Sequence, residues 1–507
     1  MDASAAPPLT QPRKADPGIS FDNTYARLPA RFYARLPPTP VAEPTLIALN
    51  EGLCRSLGID PEAVDETTWA AILAGNRLPA GAEPLAQAYA GHQFGVFVPS
   101  LGDGRAILLG EVVGTDGVRR DLQLKGSGRT PFSRMGDGRA PLGPVLREFL
   151  VSEAMAALGI PTTRSLAAVA SGEAVYRDRV LPGGVLTRVA SSHLRVGTFQ
   201  YFAARNDIEA VRLLADYAIA RHDPDLADMP APERYRAFLE RVALRQADLV
   251  AAWLMVGFVH GVMNTDNCAI SGETIDFGPC AFLDAYEPGA VFSSIDHGGR
   301  YAYANQPRIA AWNLARLADC LLPLLAEPQE EAIAIAEDAL AAFGERFRTA
   351  YRAGIVRKIG IARPREGDAE LAADLLARMA ENGADFTLTF RRLAEAVGDP
   401  AADGAIRPLF ADPAAFDSWA ERWRARLVEE GPAEEVAARM KRTNPAVIPR
   451  NHLVEGAIAA AVERGDLGPF ACLHAALIDP YADRTPDDRY TLPPAPHERV
   501  TVTFCGT

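Results

Sequence analysis

The sequence predicts an α+β protein: a small strand-rich unit, a larger helical unit after it, and helical extensions at both ends. Three observations carry this. Between residues 94 and 125 apolar and polar residues alternate in short runs separated by LGDGR and GTDG turns, the signature of paired strands. From about residue 198 onward apolar residues recur at helical spacing. The chain of 507 residues is also long enough for two to four structural units.

Taken in order, residues 1 to about 45 are rich in Pro and Ala, and LPPTPVAEP reads as a linker or wrapping arm. A helical pattern is expected from there to about residue 80. FGVFVPS, AILLGEVV and RRDLQLK then read as strands. LGPVLREFLVSEAMAAL, residues 142–158, is a helix ended by Gly159 and Pro161. SLAAVAS, AVYRD and GGVLTRVA add strands, and a long helix from about 232 to 258 finishes in the apolar AAWLMVGF. Helices continue over 308–355, and FTLTFRRLAEAV and EGAIAAAVERG mark amphipathic helices of a C-terminal appendix. The expected divisions are 1–85 (arm and helical extension), 86–197 (small lobe), 198–355 (large lobe) and 356–507 (helical extension and tail).

Composition narrows the function. Lys+Arg number 52 and Asp+Glu 65, a formal charge of −13, which disfavours a sequence-independent nucleic-acid binder. No stretch approaches 18 uncharged apolar residues, and the N-terminus has no basic region followed by an apolar run, so neither membrane insertion nor secretion is expected. The six cysteines lack CxxC spacing, which points away from structural zinc and toward a cytoplasmic protein with reduced thiols.

The chemistry concentrates in HGVMNTDNCAISGETIDFGPC, residues 260–280. Its start resembles a kinase catalytic loop and its end a metal-holding DFG turn, and the long apolar helix stands before it. Asn267 and Asp276 flank CAISGETI, in which Gly272 can turn the chain and GETID return as a short strand, so both oxygens can face one Mg²⁺ or Mn²⁺ ion. The alternative is a hairpin with polar surface residues. Val262 stands where kinase-like enzymes commonly carry a catalytic aspartate, so Asp266 is the candidate base; the competing reading is a loop-capping Asx turn.

Lys125 ends a strand and precedes the small residues of GSGR, which lets a phosphate approach. Spacing leaves Glu148 and Glu153 as equal candidates for its partner on the following helix. The turns Gly102-Asp103-Gly104-Arg105 and Gly136-Asp137-Gly138-Arg139 are either ordinary hairpin turns or backbone anion nests. Arg188 and Arg195 suit bidentate phosphate contacts or surface ion pairs.

These residues lie in longer segments: YAGHQFGVFVPSLGDGRAILLGE, LQLKGSGRTPFSRMGDGRAPLGPVLREFLVSEAMAALGIPTTRSL, HGVMNTDNCAISGETIDFGPCAFLDAY, GRYAYANQP and MKRTNPAVIPRNHLVEGAI. Through them nearly the whole chain resembles the selenoprotein O family of protein adenylyltransferases with a protein-kinase-like bilobal fold. The resemblance implies that ATP binds in a flipped orientation and that AMP passes to a protein Ser, Thr or Tyr hydroxyl with release of pyrophosphate. It implies that Lys125, Arg188 and Arg195 clamp the terminal phosphates and that Glu148 positions Lys125. It further implies that Gly102, Gly104, Arg105, Asp137 and Gly138 contact nucleotide, that Asn267 and Asp276 hold Mg²⁺ or Mn²⁺, and that Asp266 is the base. The expected partners are ATP and acceptor proteins, with neither nucleic acid nor membrane. UMP transfer from UTP with Mn²⁺, an ordinary phosphotransferase and a non-catalytic nucleotide-binding scaffold remain alternatives. Family members are named for a C-terminal selenocysteine, where this chain has Cys505, and VFSSIDHGGRY lacks the cysteine that pairs with it in some relatives. A Cys280–Cys505 disulfide and free thiols both stay open.

Overall fold

A computed structural model describes residues 16–504. It is a mixed α+β protein in which the chain divides into two compact units. The first comprises residues up to 87 together with 103–140 and 165–189; the second comprises 88–102, 141–164 and 190 onward.

The first unit is built on a sheet whose strands follow the order Tyr33–Arg35, Leu85–Gln87, Ala106–Val113, Arg119–Lys125, Val180–Ala190, Arg164–Tyr176, Thr45–Leu49. Ala106–Val113 and Arg119–Lys125 pair antiparallel, with Ala106 opposite Lys125. Strand alternation sorts the side chains onto two faces. Leu122, Leu124, Val185 and Val189 turn to a core shared with Trp69, Ile72 and Leu73 of the Glu66–Leu73 helix. Gln123, Lys125 and Arg188 occupy the alternate positions and give the opposite face its polarity. Of the two readings of LPPTPVAEP, the wrapping one holds, for the segment lies on this unit: the Thr39 amide donates to Ser127 O at 2.8 Å, Arg139 donates to the carbonyls of Thr39 and Pro40, and the Glu43 amide donates to Ser171 O; residues 1–15 of the arm lie outside the described residues.

Three local expectations need correction. The helical pattern expected before residue 80 begins with a strand, Thr45–Leu49, which pairs antiparallel with Arg164–Tyr176; only Glu51–Ser56 and Glu66–Leu73 are helical. SLAAVAS and AVYRD form one continuous strand, Arg164–Tyr176, because Gly172 bends the backbone at φ +69° without breaking it. FGVFVPS keeps only Val96–Val98 as strand, paired with Gly91–Gln93 in a separate hairpin. The expected helices at 142–158 and 232–258 appear as Leu142–Ala157 and Glu233–Met255.

The second unit is mostly helical. Glu233–Met255 packs with Gln306–Leu325 and Gln329–Lys358, and a further core gathers around Trp419 and Trp423, stacked at 5.3 Å. C-terminal helices brace the parts that carry the conspicuous motifs. Gly143 lets Leu142–Ala157 approach the Asn451–Arg464 helix, where an added Cβ would sit 3.0 Å from Ile458. The Asn451 side chain bonds both backbone groups of Phe282. Arg450, 1% exposed, donates to Asp284 at 2.7 Å and to Asp385 at 2.9 and 3.1 Å. No helix of the described residues is long and apolar enough to cross a membrane.

Removing one partner of a buried ion cluster strands the others. Arg450→Ala is therefore expected to cost about 3–5 kcal/mol of stability, read from the urea midpoint at constant slope; an unchanged midpoint would show that the cluster does not hold the C-terminal helices in place.

Candidate active site

In the second unit the chain after Glu233–Met255 forms a strand, Phe258–Val259, then the loop of interest. His260 is fully buried. Its Nε2 lies 2.9 Å from Ile275 O and its Nδ1 3.4 Å from the Val262 amide. Burial depresses its proton affinity below the usual histidine value. The neutral Nε2–H tautomer fits both contacts, since it donates to Ile275 and accepts from Val262. His260 thus ties the loop to the residue before Asp276. Val262 is buried, its N–H is turned to His260, and its carbonyl accepts from Asn267 Nδ2 at 2.9 Å. Position 262 is part of the loop's framework.

Asp266 lies in the 3₁₀ turn Thr265–Asn267. Its Oδ2 accepts from Gln93 Nε2 at 3.3 Å, and its Oδ1 has no hydrogen-bond partner among the described residues. Burial pushes this carboxyl up to about 6, against the pull of the nearby Arg195. The surrounding loop is pinned by the Gly91–Val98 hairpin: the His92 amide donates to Thr265 Oγ1 and the Phe94 amide to Asn264 Oδ1, which also accepts from Tyr301 Oη at 2.6 Å. Gly91 is obligatory here, because a Cβ would sit 2.6 Å from Asp266 Oδ1.

Arg195 joins the acids. Its Nη1 donates to Asp276 Oδ2 and to the Asp266 carbonyl, each at 2.8 Å, while the guanidinium lies over the Tyr89 ring at 4.6 Å. The arginine is 2% exposed. Asp276 takes φ +64°, a left-handed conformation uncommon outside glycine. GETID is not the strand the sequence suggested. Gly272 turns the chain at φ +79°, and Thr274 then makes an isolated parallel bridge to Thr162, its amide bonding Pro161 O. Pairing with the segment after the Leu142–Ala157 helix replaces a hairpin back onto Asn267. The donor set of Asn267 and Asp276, one amide oxygen and one carboxylate, consists of hard oxygens that suit Mg²⁺ or Mn²⁺. The Asn267 amide nitrogen is engaged with Val262, which assigns its oxygen to the other side.

Glu148 is buried on Leu142–Ala157. Glu153, its rival by spacing, is bound by Arg164 through two contacts of 2.9 and 2.6 Å.

In the first unit, Lys125 ends its strand opposite Ala106, and the Gly126 amide bonds Arg105 O at 2.7 Å, so the first turn and the lysine are adjacent. Arg188, 2% exposed, donates to Gln123 Oε1 at 2.5 and 3.2 Å. Asp103 Oδ2 accepts from the Gln87 amide and from Gln123 Nε2. The turn is fixed from behind by Thr130 Oγ1, which donates to Asp103 O at 2.7 Å, and by Ser133, which bonds Gly104 O. In the second turn Arg177 holds the Asp137 carboxylate at 2.8 and 3.0 Å, keeping it below the usual carboxylate range. Gly138, at φ +71°, passes so near Gly128 that a Cβ would lie 2.1 Å from its carbonyl oxygen. Gly102 falls in the second unit, at φ +66°, its amide bonding Tyr89 O.

Sequence reasoning did not single out Gln93, Tyr89, Gln123 or Arg177. For Gln123 a signal existed: it shares the strand face of Lys125 two residues away. Gln93, Tyr89 and Arg177 act across distances that no local pattern encodes. Cys280 is a buried free thiol pushed up to about 12 by burial; Cys505 lies outside the described residues.

Comparison with known proteins places the chain in a family. Residues 18–478 match the family described as Protein adenylyltransferase SelO. A protein described as Protein nucleotidyltransferase YdiU from Rhodopseudomonas palustris (strain BisB5) is 63% identical over 490 residues, covering 96% of this chain and 99% of the relative. One of the same description from Methylorubrum extorquens (strain PA1) is 62% identical over 496 residues, with the same coverage. The chain is an enzyme of the nucleotidyltransferase class. It belongs to the SelO family of protein adenylyltransferases, a class that generally requires a divalent metal ion.

The depressed proton affinity of His260 has a consequence for stability. The unfolded chain takes up this proton as pH falls through about 6.5, whereas the folded chain resists it. The contribution is therefore complete above that value and is lost as pH falls toward the lower folded value. The urea midpoint is expected to decline below pH 6.5, and His260→Gln, which keeps a donor for Ile275, should make the decline shallower. An identical slope in the variant would remove His260 from this role.

Proposed function

We propose that the enzyme transfers AMP from ATP to Ser, Thr or Tyr hydroxyls of proteins, with the triphosphate bound in the flipped orientation of a kinase-like fold. The observation that carries the reading is the Arg195 guanidinium gathering Asp266 and Asp276 around one nitrogen. Further support comes from the sheet face that bears Lys125, Gln123 and buried Arg188. A wall of amide, ammonium and guanidinium groups favours phosphate oxygens over an adenine ring.

In this reading Lys125, Arg188 and Arg195 bind the β- and γ-phosphates, and Glu148 orients Lys125. Gly102, Gly104, Arg105, Asp137 and Gly138 contact the nucleotide through the two turns. Asn267 and Asp276 hold Mg²⁺ or Mn²⁺, which supplies charge neutralisation to the triphosphate when bound. Asp266 accepts the proton of the acceptor hydroxyl. The hydroxyl oxygen bonds to the α-phosphorus, the bond from that phosphorus to the bridging oxygen of the β-phosphate breaks, and pyrophosphate leaves with the electron pair. The cationic clamp stabilises charge where it develops, on the leaving group. The absence of a carboxylate at Val262 is then no obstacle, because the base comes from four residues further along. Cytosolic residence belongs to the same reading and is supported by the free thiols of Cys54, Cys268, Cys280, Cys320 and Cys472.

Incubation with α-labelled and γ-labelled ATP separates the outcomes. Label on protein from the α position alone is expected; label from the γ position alone would mean phosphoryl transfer, and dominance by UTP in competition would mean UMP transfer. Asp266→Ala should lower kcat by roughly 10²–10⁴-fold while nucleotide binding persists. Asp276→Ala should abolish transfer, and Lys125→Ala should weaken productive nucleotide binding. Undiminished transfer by the Asp276 and Lys125 variants would dismantle the assignment.

A further inference from the structure

A half-open cavity of about 510 Å³ lies in the second unit and includes none of the residues assigned to nucleotide, metal or base. The helices Glu233–Met255 and Gln329–Lys358 form its long walls, and Arg442, Thr443 and Tyr481 close one side. Along Gln329–Lys358 it is lined from Arg346 to Lys358 by residues spaced three and four apart, one helical face. At 1.5 Å per residue that face runs about 18 Å, so the cavity is a slot.

The two ends differ chemically. At one end Arg346 is neutralised by Asp248, with contacts of 2.7 and 2.9 Å. Asp248 is the sole carboxylate in the lining, and both its oxygens are committed to that pair. At the other end Lys358 is 2% exposed, and its ammonium donates to no acceptor among the described residues. Only the rings of Phe386 and Phe390 face it, at 5.2 and 4.3 Å. Burial without a counter-ion pushes it down to about 7. Arg357 and Arg442 stand at the same cavity and have no acidic partner among the described residues. Asn444 joins the two segments by donating to Lys358 O at 2.8 Å. Between the ends Ala251, Ala252, Ala350, Ala353 and Gly354 form a small-residue wall, with Thr349 the one hydroxyl on that stretch of the Gln329–Lys358 face. Gly354 brings the helix close to Met255, whose sulfur would lie 2.7 Å from an added Cβ.

A buried cation with ring faces but no oxygen partner, at the head of an apolar slot of ligand size, is a recognition element lacking its complement. We propose that this cavity binds a small organic anion whose oxyanion head pairs with Lys358 and whose slim apolar body lies along the alanine wall. Arg357 and Arg442 draw the head inward from the rim. The slot shares no residue with the proposed nucleotide site, so the ligand is an effector distinct from ATP and the acceptor protein.

The test uses the full-length protein and three probes of equal chain length: octanoate, octyl phosphate and octylamine, each titrated calorimetrically. Saturable one-to-one binding of octanoate or octyl phosphate is expected, with octylamine silent, and the stronger of the two identifies the head as carboxylate or phosphate. Lys358→Met should weaken that binding at least tenfold. Ala353→Trp, which fills the slot and leaves Lys358 intact, should weaken it as well. Lys125→Ala should leave it unchanged, which separates the slot from the triphosphate clamp. Absence of saturable binding by both anions, equal binding of octylamine, or full retention of binding in both the Lys358 and Ala353 variants would overturn the proposal.

Discussion

The geometry of the second unit turns on one buried guanidinium. Arg195 reaches a backbone carbonyl in one loop and a carboxylate in another from a single nitrogen, and it brings the positive charge that matches the acid. Its own position is fixed in turn. It caps the Val196–Ala203 helix with its amide on Thr198 Oγ1, the neighbouring Val196 amide bonds Cys268 O, and Tyr89 lies under the charged plane. Gly197 follows because the chain at Ala90 passes so near that a Cβ would lie 2.1 Å from its carbonyl oxygen. Asp276, with its left-handed φ of +64°, is held by this guanidinium.

Much of this was legible in the sequence where chemistry and local pattern coincide. The Asn267 and Asp276 pair stood out because a loop and a DFG turn follow a long apolar helix, and the strand ending in Lys125 stood out because apolar residues alternate up to it. The Leu142–Ala157 helix was plain from its spacing and from the Gly159 stop. What stayed hidden depends on pairing between distant segments. GETID has strand-like composition, yet its partner, Thr162, lies more than a hundred residues earlier and pairs at a single position. Thr45–Leu49 looked like the start of a helical run because its alternation is short; pairing with Arg164–Tyr176 decides it. Glu148 and Glu153 were indistinguishable by spacing, and the bidentate contact of Arg164 with Glu153 separates their environments.

The C-terminal helices are part of the machinery's frame. Asn451 bonds both backbone groups of Phe282 just beyond the DFG turn, and Arg450 ties the next segment at Asp284. Phe149, one residue after Glu148, packs on Phe470 and His474 at 5.7 and 5.3 Å. A helix that carries a charged residue in a buried position is thereby steadied along an adjoining face by aromatic packing.

The hairpin at Gly91–Val98 also sets a schedule. Its contacts with the Asn264–Asp266 loop join residues 173 positions apart. At about 5–20 residues per second, a ribosome needs roughly ten to thirty-five seconds to make the second half of that contact. During that interval the strands Arg164–Tyr176 and Val180–Ala190, which complete the centre of the sheet, are also made. The hairpin therefore waits for the loop it pins until well after its own synthesis.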